Sequence, residues 1–89
     1  MKYLSSIMTT IERENDVRII FSDCSLTILN EYAISFIINL EKHIEQCDFA
    51  CRLNDYAFIK AFVYLTLKQI SKRSDLCDFG IIDIKINEL

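Results

Sequence analysis

Gly80 is the only glycine in the chain, and proline is absent. A chain so composed has few sharp turns with special backbone angles, so ordinary residues must join one regular element to the next. The same lack excludes several kinds of chemistry. A phosphate-cradling loop, a nucleophile elbow and a dinucleotide fingerprint each need glycines for close backbone approach. Eighty-nine residues make a single domain, 1–89, with no room for a second core. A chain that is 52% hydrophobic and 26% charged is not disordered. It also carries more apolar side chain than a small sphere hides, which predicts an exposed apolar patch of the kind that marks a partner site.

The net charge of -3 argues against a general nucleic-acid binder, which needs a basic stripe to displace counterions. Lys60, Lys68, Lys72 and Arg73 do fall in one segment. They read as a solvated helix end, with a local basic patch as the sharper alternative. No apolar run approaches the roughly 18 residues of a membrane span, and the start "MKYLSSIMTTIEREN" lacks the apolar region of a secretory leader. The expectation is a soluble intracellular protein, cytoplasmic or nuclear.

Cys24, Cys47, Cys51 and Cys77 invite a disulfide or a zinc reading. Disulfides need an oxidising compartment that nothing signals. Zinc needs two close pairs, and only Cys47 and Cys51 are close. If "CDFACRL" is extended, those two lie about 13 Å apart along one strand face, too far for one ion. Buried free thiols are the plainer reading, and a thiol- or metal-binding protein is the alternative. His43 follows Phe36 and Leu40 at helical spacing and reads as a boundary residue, since no nucleophile or carboxylate is evidently held against it. No cofactor and no catalytic residue is expected.

Tyr3, Leu4, Ile7, Met8 and Ile11 recur at three- and four-residue steps, which predicts an amphipathic helix over 1–15. Its stripe is either core packing or a docking face. Val17 to Phe21 and Leu26 to Leu29 are strand-like by their β-branched content, with a corner at Asp23. Asn30 has N-cap chemistry for a helix that buries Ala33, Phe36, Ile37, Leu40 and Ile44. Ile34 and Ile38 widen its apolar arc, which predicts contact with more than one neighbour. "CDFACRL" reads as a third strand, and Asn54-Asp55 as the cap of "YAFIKAFVYLTLKQISKR". Ile59, Phe62, Val63, Thr66, Leu67 and Ile70 form one stripe of that helix, and Phe58, Ala61 and Leu65 a second. Such a helix is expected to be central. Finally, residues 79–89 alternate Ile82, Ile84 and Ile86 against Asp83, Lys85 and Asn87, which predicts a strand with one solvated side. The fold class is α+β: a small mixed sheet, a hairpin plus two further strands, packed on two or three helices, with the core in 17–74.

The stretches "DVRIIFSDCSLTILNEYAISFIINLEKHI" and "CDFACRLNDYAFIKAFVYLTLKQI" resemble the BTB/POZ fold, the family that includes elongin C and related cullin adaptors. The likeness spans about Met1 to Ser74, and the family's later helices are missing after Arg73. The resemblance implies a truncated BTB/POZ-like fold and a non-catalytic interaction module: a homodimer, or an adaptor between a ubiquitin ligase scaffold and a substrate receptor. The expected partner is a protein or a second copy, not a membrane. A small structural or inhibitory subunit of a viral or parasite assembly is the competing expectation. Two surfaces are candidates for contact. One is the stripe of Tyr3, Leu4, Ile7, Met8 and Ile11; the other is Tyr56 and Tyr64 flanking Lys60 at steps of four.

Overall fold

The computed structural model describes residues 3–47 and 56–87. Strands β1 (Thr9–Glu12), β2 (Asp16–Ile20) and β3 (Cys24–Leu29) form an up-and-down meander. Helices α1 (Asn30–Glu45) and α2 (Tyr56–Ile70) follow. The chain then returns as β4 (Ile81–Ile86), which pairs with β3. The sheet order is β1-β2-β3-β4, and every pairing is antiparallel. The α+β class is as expected, but the sheet is antiparallel throughout rather than mixed. The expected strand over "CDFACRL" and the cap at Asn54-Asp55 fall outside the described residues, apart from Cys47.

The N-terminal segment is not a helix. Leu4–Ser6 make one 3-10 turn, and the chain then extends into β1. Consecutive Thr9, Thr10 and Ile11 explain the change, because β-branched side chains lose rotamer freedom in a helix and pack well on a pleated surface. A turn follows at once: the Arg13 N–H donates to the Asp16 carbonyl at 2.9 Å, and the Arg13 guanidinium meets the Asp16 carboxylate at 2.6 Å. Tyr3, Leu4 and Ile7 are buried in the core rather than displayed. They are held there by Glu41 of α1, whose carboxylate accepts the Tyr3 N–H at 2.9 Å and the Leu4 N–H at 2.6 Å.

The β2–β3 hairpin forms as predicted, closed by the Phe21 N–H on the Cys24 carbonyl at 2.8 Å. Side chains two apart share a face. Val17, Ile19 and Phe21 therefore join Cys24, Leu26 and Ile28 on one side, all of them buried. Both helices lie on this side. They add Ala33, Leu40 and Ile44 from α1, and Ile59, Val63 and Leu67 from α2. The other face carries Thr9, Ile11, Arg18, Ile20, Ser25, Thr27, Asp83 and Lys85 by the same register. There Arg18 donates to the Ser25 hydroxyl at 3.1 Å. The result is two layers, helices on sheet, with the second sheet face polar.

Asn30 does not cap α1 with its side chain. It is the first helical residue, and its Nδ2 donates to the Glu14 carbonyl at 3.0 Å, tying the β1–β2 turn to the helix start. Neither helix is central. Ile34 of α1 is 72% exposed and Ile38 is 47% exposed, and on α2 Ala61 and Leu65 face solvent. With both described helices on one side of the sheet, each has an outer flank that no other described element covers, which a helix in a three-layer fold would not have.

A bulge separates Ile81, which pairs with Ile28, from Asp83, which pairs with Thr27. The extra residue is Ile82. It leaves the period-two series and stands 54% exposed, while Ile81 takes the buried place instead. Gly80, at φ 73°, ends a second 3-10 turn (Leu76–Phe79) and leads into β4. Only glycine adopts that left-handed backbone without steric cost.

Candidate interaction surface

The helix layer and the sheet do not coincide edge to edge. Helix α1 lies over β2 and β3, and α2 lies over β4. Among the described residues, neither helix makes its main sheet contacts on strand β1, and all four of its residues are exposed. Beside it runs a groove of about 490 Å³, lined by Met8, Thr10, Glu12, Val17, Ala33, Ile34 and Ile37 among others. The 3-10 turn of Leu4–Ser6, docked through Glu41, fills the space along the later turns of α1 and leaves the groove open along the earlier ones. Ile34 thus forms part of the groove wall, and Ile38 sits one turn further along the same outer flank.

The outer flank of α2 is built differently. Phe62 turns toward α1, where its ring lies 5.8 Å from that of His43. Helical rotation then puts Lys60, Tyr64, Ala61 and Lys68 on the side facing away from α1. A shallow concavity of about 300 Å³ there is lined by Asp23, Ala57, Lys60, Ala61, Tyr64 and Leu65. The Lys60 ammonium lies 4.9 Å from the centre of the Tyr56 ring, and that of Lys68 lies 5.8 Å from the Tyr64 ring. Each of these contacts holds a long cationic side chain against an aromatic face.

The sequence-predicted residues fare unequally. Tyr56, Lys60 and Tyr64 do come together on one accessible flank. The N-terminal stripe divides: Tyr3, Leu4 and Ile7 are core, Met8 lines the β1–α1 groove, and Ile11 lies on the polar face of the sheet, 48% exposed. Ile34 and Ile38 were expected to be covered and are the most prominent apolar residues of α1. Their arc also carries Glu31, Lys42 and Glu45, a charged company that marks a solvent-facing side.

The thiols are dispersed. Cys24 is buried on β3, Cys47 is half-buried and Cys77 is exposed; Cys51 lies outside the described residues. Burial, with a smaller contribution from Asp23, pushes the Cys24 thiol up to about 11. Among the described residues, no group of three or more His, Cys, Asp or Glu side chains is placed to hold a metal ion. No helix among them is long and apolar enough to cross a membrane. His43 sits at the rim of a cleft between the helices with Phe36, Asn39, Thr66 and Gln69, exposed as its boundary position predicts. No protein-family model, no curated protein and no solved structure matches this chain.

Proposed function

We propose that this chain is a non-catalytic protein–protein interaction module, an adaptor or dimerisation domain of the general kind that the BTB/POZ and elongin C resemblance implies. One observation carries the reading: Ile34 and Ile38 stand exposed on α1, and Ile34 walls an open groove whose other side is the exposed strand β1. A solvated helix face gains nothing from isoleucine, whereas a docking face does. Strand and groove together provide the two elements of strand-addition recognition, backbone hydrogen bonds for affinity and pockets for alternate side chains.

The test is sedimentation of the purified chain, alone and with candidate partners, against the Ile34→Glu/Ile38→Glu double variant. The expected result is an association that the variant loses while its far-ultraviolet circular dichroism is unchanged. A native chain that stays monomeric at high concentration and binds no partner overturns the proposal. A second reading, a small structural or inhibitory subunit of a larger assembly, is favoured by apolar exposure at both flanks, with Leu65 and Ile82 opposite Ile34. It expects poor solubility of the isolated chain.

A further inference from the structure

We infer that β4 is a self-pairing edge: two copies of this chain join about a two-fold axis, β4 antiparallel to β4, with Ile84 opposite Ile84. This surface lies at the other edge of the sheet from the groove beside β1. The inference therefore goes beyond the reading above and leaves Ile34 and Ile38 free for another partner.

The backbone decides which residues can pair. Strand β4 ends the sheet, and among the described residues no strand lies on its far side. In an antiparallel ladder, successive residues of a strand bond alternately to one neighbour and to the other. The Asn87 N–H donates to the Asp23 carbonyl at 3.0 Å. With the register that follows the bulge, this directs Lys85 and Asp83 to β3, opposite Ser25 and Thr27. The backbone N–H and C=O of Ile84 and Ile86 therefore point to the free edge. Two copies pair only by setting such outward-pointing residues against each other. Within this regular stretch, that condition leaves two-fold registers centred on Asp83, on Ile84 or on Lys85.

Side-chain charge chooses among the three. Centred on Asp83, the pairing opposes two carboxylates; centred on Lys85, it opposes two ammonium groups. Like charges directly opposite each other destabilise a strand pair. Centred on Ile84, it sets Asp83 of each copy opposite Lys85 of the other, so both charges are matched twice over. These are non-hydrogen-bonded positions toward the second copy, where opposed side chains come closest. Both residues are exposed, and both lie on the polar face of the sheet. On the helix side Ile84 meets its own copy, and Ile82, 54% exposed, comes opposite Ile86 of the second copy. Ile84 and Ile86 are only half-buried in the single chain, so an apolar seam is left for the second copy to close. Strand β1, the other edge, has four residues and a single charge, Glu12, so no register gives it this match. Because each copy offers the same surface, the assembly closes at the dimer.

The test is a charge swap, read by sedimentation and hydrogen exchange. The native chain is expected to form a dimer that grows no further, its Ile84 amide exchanging more slowly as concentration rises. Asp83→Lys alone and Lys85→Asp alone each oppose like charges twice per dimer and should weaken pairing about thirtyfold. The Asp83→Lys/Lys85→Asp double variant restores both matches and should dimerise like the native chain. An equimolar mixture of the two single variants should form a one-to-one heterodimer. Circular dichroism checks each fold, and the rescue is a result that misfolding cannot imitate. Single variants that pair as tightly as the native chain overturn the inference, as does a double variant no tighter than the singles. The Ile34→Glu/Ile38→Glu variant should still dimerise, and a dimer lost there would place the contact elsewhere and overturn the inference. A native chain that is monomeric alone but binds a different protein through Ile34 and Ile38 also overturns it, while leaving the interaction reading standing.

Discussion

The aromatic ring of Tyr32 lies over the α-carbon of Gly80, so close that a Cβ built there would run into its Cγ and Cδ2. The Leu29 N–H also donates to the Gly80 carbonyl at 2.8 Å. The start of α1 and the entry to β4 are therefore locked at one point. Gly80→Ala is expected to lose about 3 kcal/mol in urea unfolding, roughly 1 of it from the left-handed backbone and the rest from overpacking against the ring. Adding Tyr32→Ala should recover the overpacking part and not the backbone part. Equal losses with and without Tyr32 would show that the ring contact is not what restricts this position.

Glu41 secures the N-terminal turn through the backbone N–H groups of Tyr3 and Leu4. Hydrogen bonds to a charged acceptor are stronger than neutral ones, but these are only partly buried. Glu41→Ala is expected to cost about 2 kcal/mol, and Glu41→Gln about half as much. The local signature is hydrogen exchange, with the amides of Tyr3 and Leu4 losing protection before those of β2 and β3.

The Cys24 thiol has its pKa raised from its ordinary 9.0 to about 11. Below pH 9 the folded and unfolded chains both keep the proton. Between pH 9 and 11 the unfolded chain loses it first, so stability falls with rising pH across that window. The native chain should lose about 2 kcal/mol more than Cys24→Ala does between those limits. At pH 8 a thiol reagent should modify exposed Cys77 quickly and Cys24 only on unfolding. Equal rates at the two sites would contradict the burial of Cys24.

The outer isoleucines and the inner ones should separate cleanly. Ile34→Ser is expected to change unfolding free energy by no more than about 0.5 kcal/mol. Leu26→Ala, at a fully buried position in the middle of β3, should cost about 2 to 5 kcal/mol through the cavity it leaves. A large loss at Ile34 in the isolated monomer would mean that α1 packs more tightly than its exposure indicates.

The hairpin, both helices and the last strand were legible because their periods are strong over several residues: β-branched runs on either side of Asp23, and stripes at three- and four-residue steps in α1 and α2. The N-terminal strand was not. Tyr3, Leu4, Ile7, Met8 and Ile11 satisfy a helical period by coincidence, and the competing preference of Thr9, Thr10 and Ile11 prevailed once β2 offered an edge to pair with. Ile82 was placed on the wrong side because a bulge adds one residue without altering the alternation visible in the letters. As for the surface, Tyr56, Lys60 and Tyr64 were found from spacing along one helix. Ile34 and Ile38 were missed because their exposure depends on both described helices lying on the same side of the sheet, which no local pattern records.

Strand β3 is the most deeply buried element, yet the neighbour on its far side is the last strand of the fold, made only after both helices. During synthesis on a ribosome, Cys24–Leu29 emerges early with β2 already at hand, and its other rim must wait for Ile81–Ile86. Until that strand arrives, the nascent chain displays a sticky apolar border, and the speed of translation through the helices sets how long neighbouring chains have to find it.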